Sequence, residues 1–367
     1  MTTVLLSGVG NLGGWALEFL ARAPGVDRII TVKRGTWDGP SRTELAGIGS
    51  VFAGEMKDFS HHRLDLGDVE SVARLIADTK PDLILHSATV GSPRRLMRTE
   101  LDPGVREALA VATFGMWLPF HLLPTWQLMR AVIESGVDTR VVNASFPDVV
   151  NVSLAKALGI GPTCGAGNVE ILAAQLLRHV VADTGAAPSE VEVHLVGSHA
   201  LLTHGPREGV PFHLRVEVTG RDVTAEYDLG SLGGEPINWR RVPEFSVFAA
   251  SAVKNALALV GEEQVSTHVT APLGLPGGYP AIIGPDGVEL RLPPGLSAEE
   301  AIAINEQAAR WDGIAEITGD GTVVYTSEAA GAMEELGYPV DAVVVDEVAH
   351  RSQQLLDLIG QLGREEN

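Results

Sequence analysis

Residues 8–13 read Gly8-Val9-Gly10-Asn11-Leu12-Gly13, directly after an apolar strand at Thr3–Ser7 and at the start of a helix over 11–22. A G-x-G-x-x-G pattern in that strand-to-helix context constrains the fold strongly. Gly8 permits the tight turn, Gly10 lets a pyrophosphate approach the backbone, and Gly13 lets helix and strand pack closely. The helix start then offers unpaired N–H groups to phosphate. Gly8, Gly10, Asn11, Leu12 and Gly13 are therefore candidate dinucleotide contacts, joined by Ser87, Ala88 and Thr89 after the fourth strand and by Asn143 after the fifth. The end of the second strand normally carries an acid for the ribose 2′-hydroxyl of NAD. Here that place is Lys33-Arg34, which suits the 2′-phosphate of NADP. The cofactor expected is NAD or NADP, with these two cations favouring NADP.

The chain that follows alternates strands and helices. Strands are expected at 28–32, 61–66, 82–86 and 139–143, with a helix over 68–79. Residues 91–136 have an arginine-rich start and a helix broken by Pro119 and Pro124, and Pro147 opens the next helix. From about residue 190 the pattern turns antiparallel: strands at 191–196 and 212–218, a return through Thr219-Gly220-Arg221-Asp222 into 223–227, and a hairpin around Gly284-Pro285-Asp286-Gly287. An apolar helix covers 245–260, and Ser297 with Glu300 forms a capping box for a helix over 297–311. The fold class is α/β, a Rossmann-type doubly wound parallel sheet followed by an α+β C-terminal domain with antiparallel strands. The domains are 1–148 for dinucleotide binding and 149–367 for substrate and oligomerisation, the latter with an acidic extension at 312–367.

At 367 residues and 45% hydrophobic content the chain has material for about two domains. Acids outnumber bases 47 to 27, and residues 296–367 alone hold 15 acids against 3 bases. A net charge of −20 argues against a nucleic-acid surface or a polybasic membrane anchor. No apolar run reaches the roughly 18 residues of a membrane span. With one cysteine, Cys164, no internal disulfide forms, and a cytoplasmic protein without a signal peptide is expected.

Several segments beyond the glycine loop carry a resemblance. Val142-Asn143-Ala144-Ser145-Phe146-Pro147-Asp148 resembles the fifth strand and Asn-Pro turn of the lactate/malate dehydrogenase superfamily. Gly165-Ala166-Gly167-Asn168 resembles its Gly-Ser-Gly-Thr segment, and Leu195-Val196-Gly197-Ser198-His199 the strand that ends in the catalytic histidine. Residues 281–289 and the helix from Ser297 resemble the last hairpin and C-terminal helix, so the likeness spans nearly all of 1–311. It implies that His199 is the acid/base, a role suited to an imidazole near working pH. His204 lies five residues on as its rival.

The departures are informative. The superfamily places an Asp that orients the histidine and an Arg that grips a carboxylate after the glycine segment. The matching stretch, Val169-Glu170-Ile171-Leu172-Ala173-Ala174, has neither, and Glu170 is its one ionisable group. A small 2-oxo acid loses its bidentate anchor. Arg94, Arg95 and Arg98 sit where the mobile loop begins, and Trp117, His121, Trp126, Asn143, Asn168, Trp239 and Arg240 are the polar and aromatic candidates for a substrate pocket. The NAD-dependent glycoside hydrolases, a second branch, resemble the chain in placing a Cys and a His as metal ligands near Cys164 and His199, with Glu170 as a third ligand or base. The bland reading of Cys164 is a small buried residue, and no metal is expected.

Three readings follow. One is an NAD(P)-dependent oxidoreductase acting on a secondary alcohol or ketone of a polar, sugar- or nucleoside-like small molecule, with His199, Asn143, Glu170 and His204 as catalytic candidates. The second is a lyase or hydrolase using tightly bound NAD for a transient oxidation. The third is an inactive dinucleotide sensor. A homo-oligomer, dimer or tetramer, is expected from the resemblance.

Overall fold

The computed structural model describes residues 1–35, 38–91, 96, 101–231 and 245–362. The chain runs β1 (Thr3–Ser7), α1 (Asn11–Arg22), β2 (Arg28–Lys33), α2 (Gly39–Phe52), β3 (Asp58–Arg63), α3 (Val69–Thr79), β4 (Leu83–His86), α4 (Pro103–Ala112), α5 (Leu118–Ser135), β5 (Arg140–Asn143) and α6 (Pro147–Leu158). It continues through β6 (Cys164–Gly165), α7 (Val169–Thr184), β7 (Val191–Val196), α8 (His199–Thr203), β8 (His213–Val218) and β9 (Arg221–Asp222). Then come α9 (Phe245–Val260), β10 (Val265–Thr270), β11 (Gly278–Gly284), β12 (Gly287–Leu290) and α10 (Ala298–Ala309). The extension adds β13 (Ile314–Ile317), β14 (Val323–Tyr325), α11 (Ser327–Glu335), β15 (Ala342–Val343) and α12 (Val348–Leu362).

Nine strands form one sheet in the order β12-β11-β10-β6-β5-β4-β1-β2-β3. The six from β3 to β6 are parallel, and β10 to β12 extend them antiparallel. Side chains alternate across the central strands. Leu5, Ile30 and Ile84 face a core shared with α3 and α5, while Val4, Leu6, Ile29 and Leu85 face one shared with α1 and α9. Burial on both faces explains the unbroken apolar runs Val4–Leu6 in β1 and Leu83–Leu85 in β4. Two small antiparallel sheets, β7-β8-β9 and β13-β14-β15, stand apart.

The extension does not hang off the molecule. Ile314, Val323, Tyr325, Met333, Val343 and Leu355 share the core that α3 and α5 form on one face of the sheet, with α11 against α4 and α12 against α5.

Several elements differ from the sequence expectation. The third strand is Asp58–Arg63 rather than 61–66, and only Arg221–Asp222 pairs back on β8 where 223–227 was expected. Helix α2 and strand β10 carry little apolar signal: α2 buries Gly39, Thr43, Ala46, Gly49 and Ser50, and β10 buries His268 and Thr270 with Val269 alone between them. Neither proline breaks α5. Pro119 lies in its first turn, where no N–H is needed, and Pro124 sits inside. The Phe120 carbonyl that Pro124 leaves unserved accepts the Val90 N–H at 3.0 Å. No single helix among the described residues is long and apolar enough to cross a membrane.

Candidate active site

The strand order reverses between β1 and β4, which opens a crevice at their C-terminal ends. Gly8 there takes φ +93°, and a Cβ on it would stand 2.7 Å from the Ala88 nitrogen. A Cβ on Gly13 would run into the Gly8 carbonyl, whereas one on Gly10 would meet nothing within 4 Å. Glycine is thus forced at the turn and the packing contact, and the approach to Gly10 is open. Ser87 Oγ donates to the Gly8 carbonyl at 2.9 Å and fastens the loop to the end of β4. Gly8, Gly10, Asn11, Leu12, Lys33, Arg34, Ser87, Ala88 and Thr89 all line a cleft of about 1500 Å³. Gly13 supports the loop from behind.

The same cleft reaches His199, Asn168, His121, Trp117, Phe114 and Phe146. His199 opens α8 and is 8% exposed. Its Nδ1 lies 2.9 Å from Oδ2 of Asp312, itself 2% exposed. This is an orienting carboxylate that the sequence reading did not find: it comes from the turn before β13, not from α7. Among the described residues nothing bonds His199 Nε2, which leaves that nitrogen for a ligand. Burial alone would lower the His199 pKa, but the Asp312 charge and hydrogen bond, with Asp148 adding, raise it above 6.5.

Asp148 fixes the backbone beneath the ring. Its Oδ1 accepts the His199 N–H at 2.8 Å, and its Oδ2 accepts from the Asn168 amide. Burial pushes this carboxyl up to about 6 against the pull of His199. Phe114 and Phe146 pack on the His199 ring at 4.4 and 5.2 Å between centroids. Thr113, Phe146 and Asn168, all cleft residues, have positive φ of 58°, 48° and 52°. Such backbone strain gathers where surrounding contacts over-determine a site.

The other predicted residues divide between the cleft wall and the surrounding core. Asn143 is fully buried: its Nδ2 donates to Asn151 Oδ1 at 2.8 Å, and its Oδ1 accepts the Ser145 N–H at 2.8 Å. It shapes the turn after β5 and is not among the cleft-lining residues. The Glu170 carboxylate is held by Ser251 and Lys254 and is likewise not a lining group. His204 lines the cleft with Nδ1 3.2 Å from Glu208. Trp117 is 3% exposed and packs on Phe120, while Trp126 carries Arg130 over its ring at 5.0 Å. Burial drives the Cys164 thiol up to about 12, and no group of three or more metal-ligating side chains occurs among the described residues. Arg94, Arg95, Arg98, Trp239 and Arg240 lie outside the described residues.

Asp312 is itself held tightly. A Cβ on Gly115 would collide with the Asp312 carbonyl, and Tyr325 donates its hydroxyl to the Gly115 carbonyl at 3.1 Å. Gly115→Ala is therefore expected to destabilise the protein by about 1–3 kcal/mol through overpacking. A thermal melt checks this, and an unchanged Tm would show that the extension can shift away without cost.

A parallel sheet in the order β3-β2-β1-β4-β5-β6 with a glycine loop at its switch point defines a Rossmann-type dinucleotide-binding fold. The full arrangement is similar to lactate and malate dehydrogenases. Lactate dehydrogenase from Cryptosporidium parvum, solved with lactic acid and β-nicotinamide adenine dinucleotide, is 17% identical, with TM-score 0.53 over 85% of this chain and 96% of that one. A minor L-lactate dehydrogenase from Enterococcus mundtii is 13% identical, with TM-score 0.57 over 84% and 95%. Malate dehydrogenase from Plasmodium falciparum, in complex with NADH, is 13% identical, with TM-score 0.53 over 91% and 99%. These are likenesses of fold. No protein-family model matches the sequence, and no curated protein does.

Proposed function

We propose that the protein is an NAD(P)-dependent oxidoreductase that interconverts a secondary alcohol and a ketone on a polar, sugar- or nucleoside-like small molecule. The observation that carries this reading is the His199–Asp312 pair, set in the same cleft as the glycine loop with Nε2 open. The loop fits a dinucleotide: open space over Gly10, helix N–H groups beside it, and cations at the end of β2. A bound nicotinamide would supply hydride acceptance. His199 Nε2 takes the carbinol proton, and Asp312 stabilises the imidazolium that results. Phe114 and Phe146 keep water from the ring. The first turns of α7 carry no arginine, which disfavours a 2-hydroxy acid.

Lys33 and Arg34 support NADP over NAD. Replacing both by Ala is expected to weaken NADPH binding by about tenfold or more, with much less effect on NADH, since each removes a charge-assisted contact to the 2′-phosphate. Fluorescence titration with both reduced cofactors checks it, and equal losses for the two would remove the NADP preference. Exposed Trp15, Leu45, Ile48 and Phe52 on α1 and α2 support a homo-oligomer, and the charge and single cysteine support a cytoplasmic setting. The deciding experiment is a screen of polyols with NAD(P)⁺ on the purified protein and on His199→Ala. Loss of turnover in the variant supports the assignment. Cofactor retained at full occupancy with no net redox change would point to transient oxidation, and cofactor binding without turnover to a sensor.

A further inference from the structure

We propose that His121 is the second recognition point of this site, and that its Nε2 engages a hydroxyl adjacent to the reacting carbinol. The substrate class is then a vicinal diol, interconverted with an α-hydroxyketone. The inference rests on the oxidoreductase reading and specifies its substrate. His121 stands near the start of α5, and its ring forms part of the cleft wall. Phe114 and Phe146 lie 5.5 and 5.9 Å from it and also pack on His199, so the two histidines flank one aromatic pair. Its Nδ1 is fixed 2.9 Å from Ser145 Oγ, which reaches the Ala88 carbonyl at 3.3 Å. Its Nε2 is buried and has no hydrogen-bond partner among the described residues. An orphaned buried nitrogen is costly, and at a ligand cleft a bound group that satisfies it accounts for the cost.

The chemistry of that group follows from the ring. Burial, and then the neighbouring His199, lower the His121 pKa to about 3, so the ring is neutral at working pH. A neutral imidazole nitrogen is either one donor or one acceptor. A hydroxyl satisfies it in either tautomer. A carboxylate offers acceptors alone and, once desolvated, requires a cation. Of the described cations lining the cleft, Lys33 and Arg34 close β2, and Arg106 on α4 is exposed and bonds the Leu101 carbonyl at 3.4 Å.

The test uses the full chain with saturating NADH or NADPH and follows, in the stopped-flow amplitude that precedes hydride transfer, quenching of nicotinamide fluorescence by three probes: 3-hydroxy-2-butanone, 2-butanone and 2-oxobutyrate. The hydroxyketone is expected to bind about tenfold more tightly than either other probe. His121→Leu should erase that difference, and His121→Gln, which keeps a polar group near the Nε2 position, should retain part of it. Thermal melts confirm that both variants fold. Tightest binding by 2-oxobutyrate, equal binding of all three, or a hydroxyketone preference surviving in His121→Leu overturns the role of His121. Absence of any signal on cofactor addition to the unmodified protein overturns the parent reading instead.

Discussion

Asp312→Asn is expected to lower turnover by about a thousandfold or more while leaving the fold intact. An amide of the same shape can hold the imidazole in the wrong tautomer and cannot stabilise its cation, the effect that makes the equivalent change in serine proteases so severe. The pH profile gives a second readout. Burial lowers the His199 pKa and Asp312 raises it, so losing the negative charge lets burial prevail and the pKa falls. In alcohol oxidation the neutral ring is the active form, and the rate rises as pH climbs through this pKa. Its acid limb should therefore move to lower pH. In ketone reduction the protonated ring is needed, and the alkaline limb moves the same way. NMR titration of the His199 ring checks the shift without relying on activity. An unmoved pKa together with full turnover would show that the pair has no part in the chemistry.

The second large effect concerns the extension. A chain ending at Trp311 is expected to lose cooperative unfolding and to aggregate. Ile314, Val323, Tyr325, Met333, Val343 and Leu355 are each at most 4% exposed and lie in the α3/α5 core. Each such side chain contributes about 1.5–3 kcal/mol by burial. Six of them together match the whole stability of an ordinary domain, about 5–15 kcal/mol. Calorimetry and gel filtration of the shortened chain test this. A sharp melt within a few degrees of the full-length protein would make the extension an ornament.

The parallel half of the fold was legible because its signals are local. An apolar strand, a spaced glycine loop and an amphipathic helix lie within twenty residues, and the structure places Gly8 and Gly13 where a side chain would clash. Pro124 misled because the missing helix bond is replaced from outside the helix, by Val90. Asp312 escaped for a related reason. It lies 113 residues from His199, in Trp311-Asp312-Gly313, which reads as an ordinary helix-ending turn. Nothing nearby marks it as a partner. The absence of the superfamily's Asp and Arg from the start of α7 was visible in the sequence, but the supply of an orienting carboxylate from a remote segment is a property of packing alone. Glu170 illustrates the converse. A lone carboxylate at the expected place invited a chemical role, yet the structure binds it to Ser251 and Lys254.

The seat of Asp312 has a consequence in time. During synthesis the glycine loop, all nine strands of the main sheet and His199 leave the ribosome before Asp312 and Tyr325, which both pack at Gly115. Domains generally fold as units as they emerge, N-terminal parts first. A nascent chain that has not reached Asp312 instead holds the glycine loop and His199 without the orienting carboxylate, and without the side chains of 314–355 that complete the α3/α5 core. The His199–Asp312 pair and the core beneath the crevice are thus completed together, by one segment made after all nine strands of the sheet.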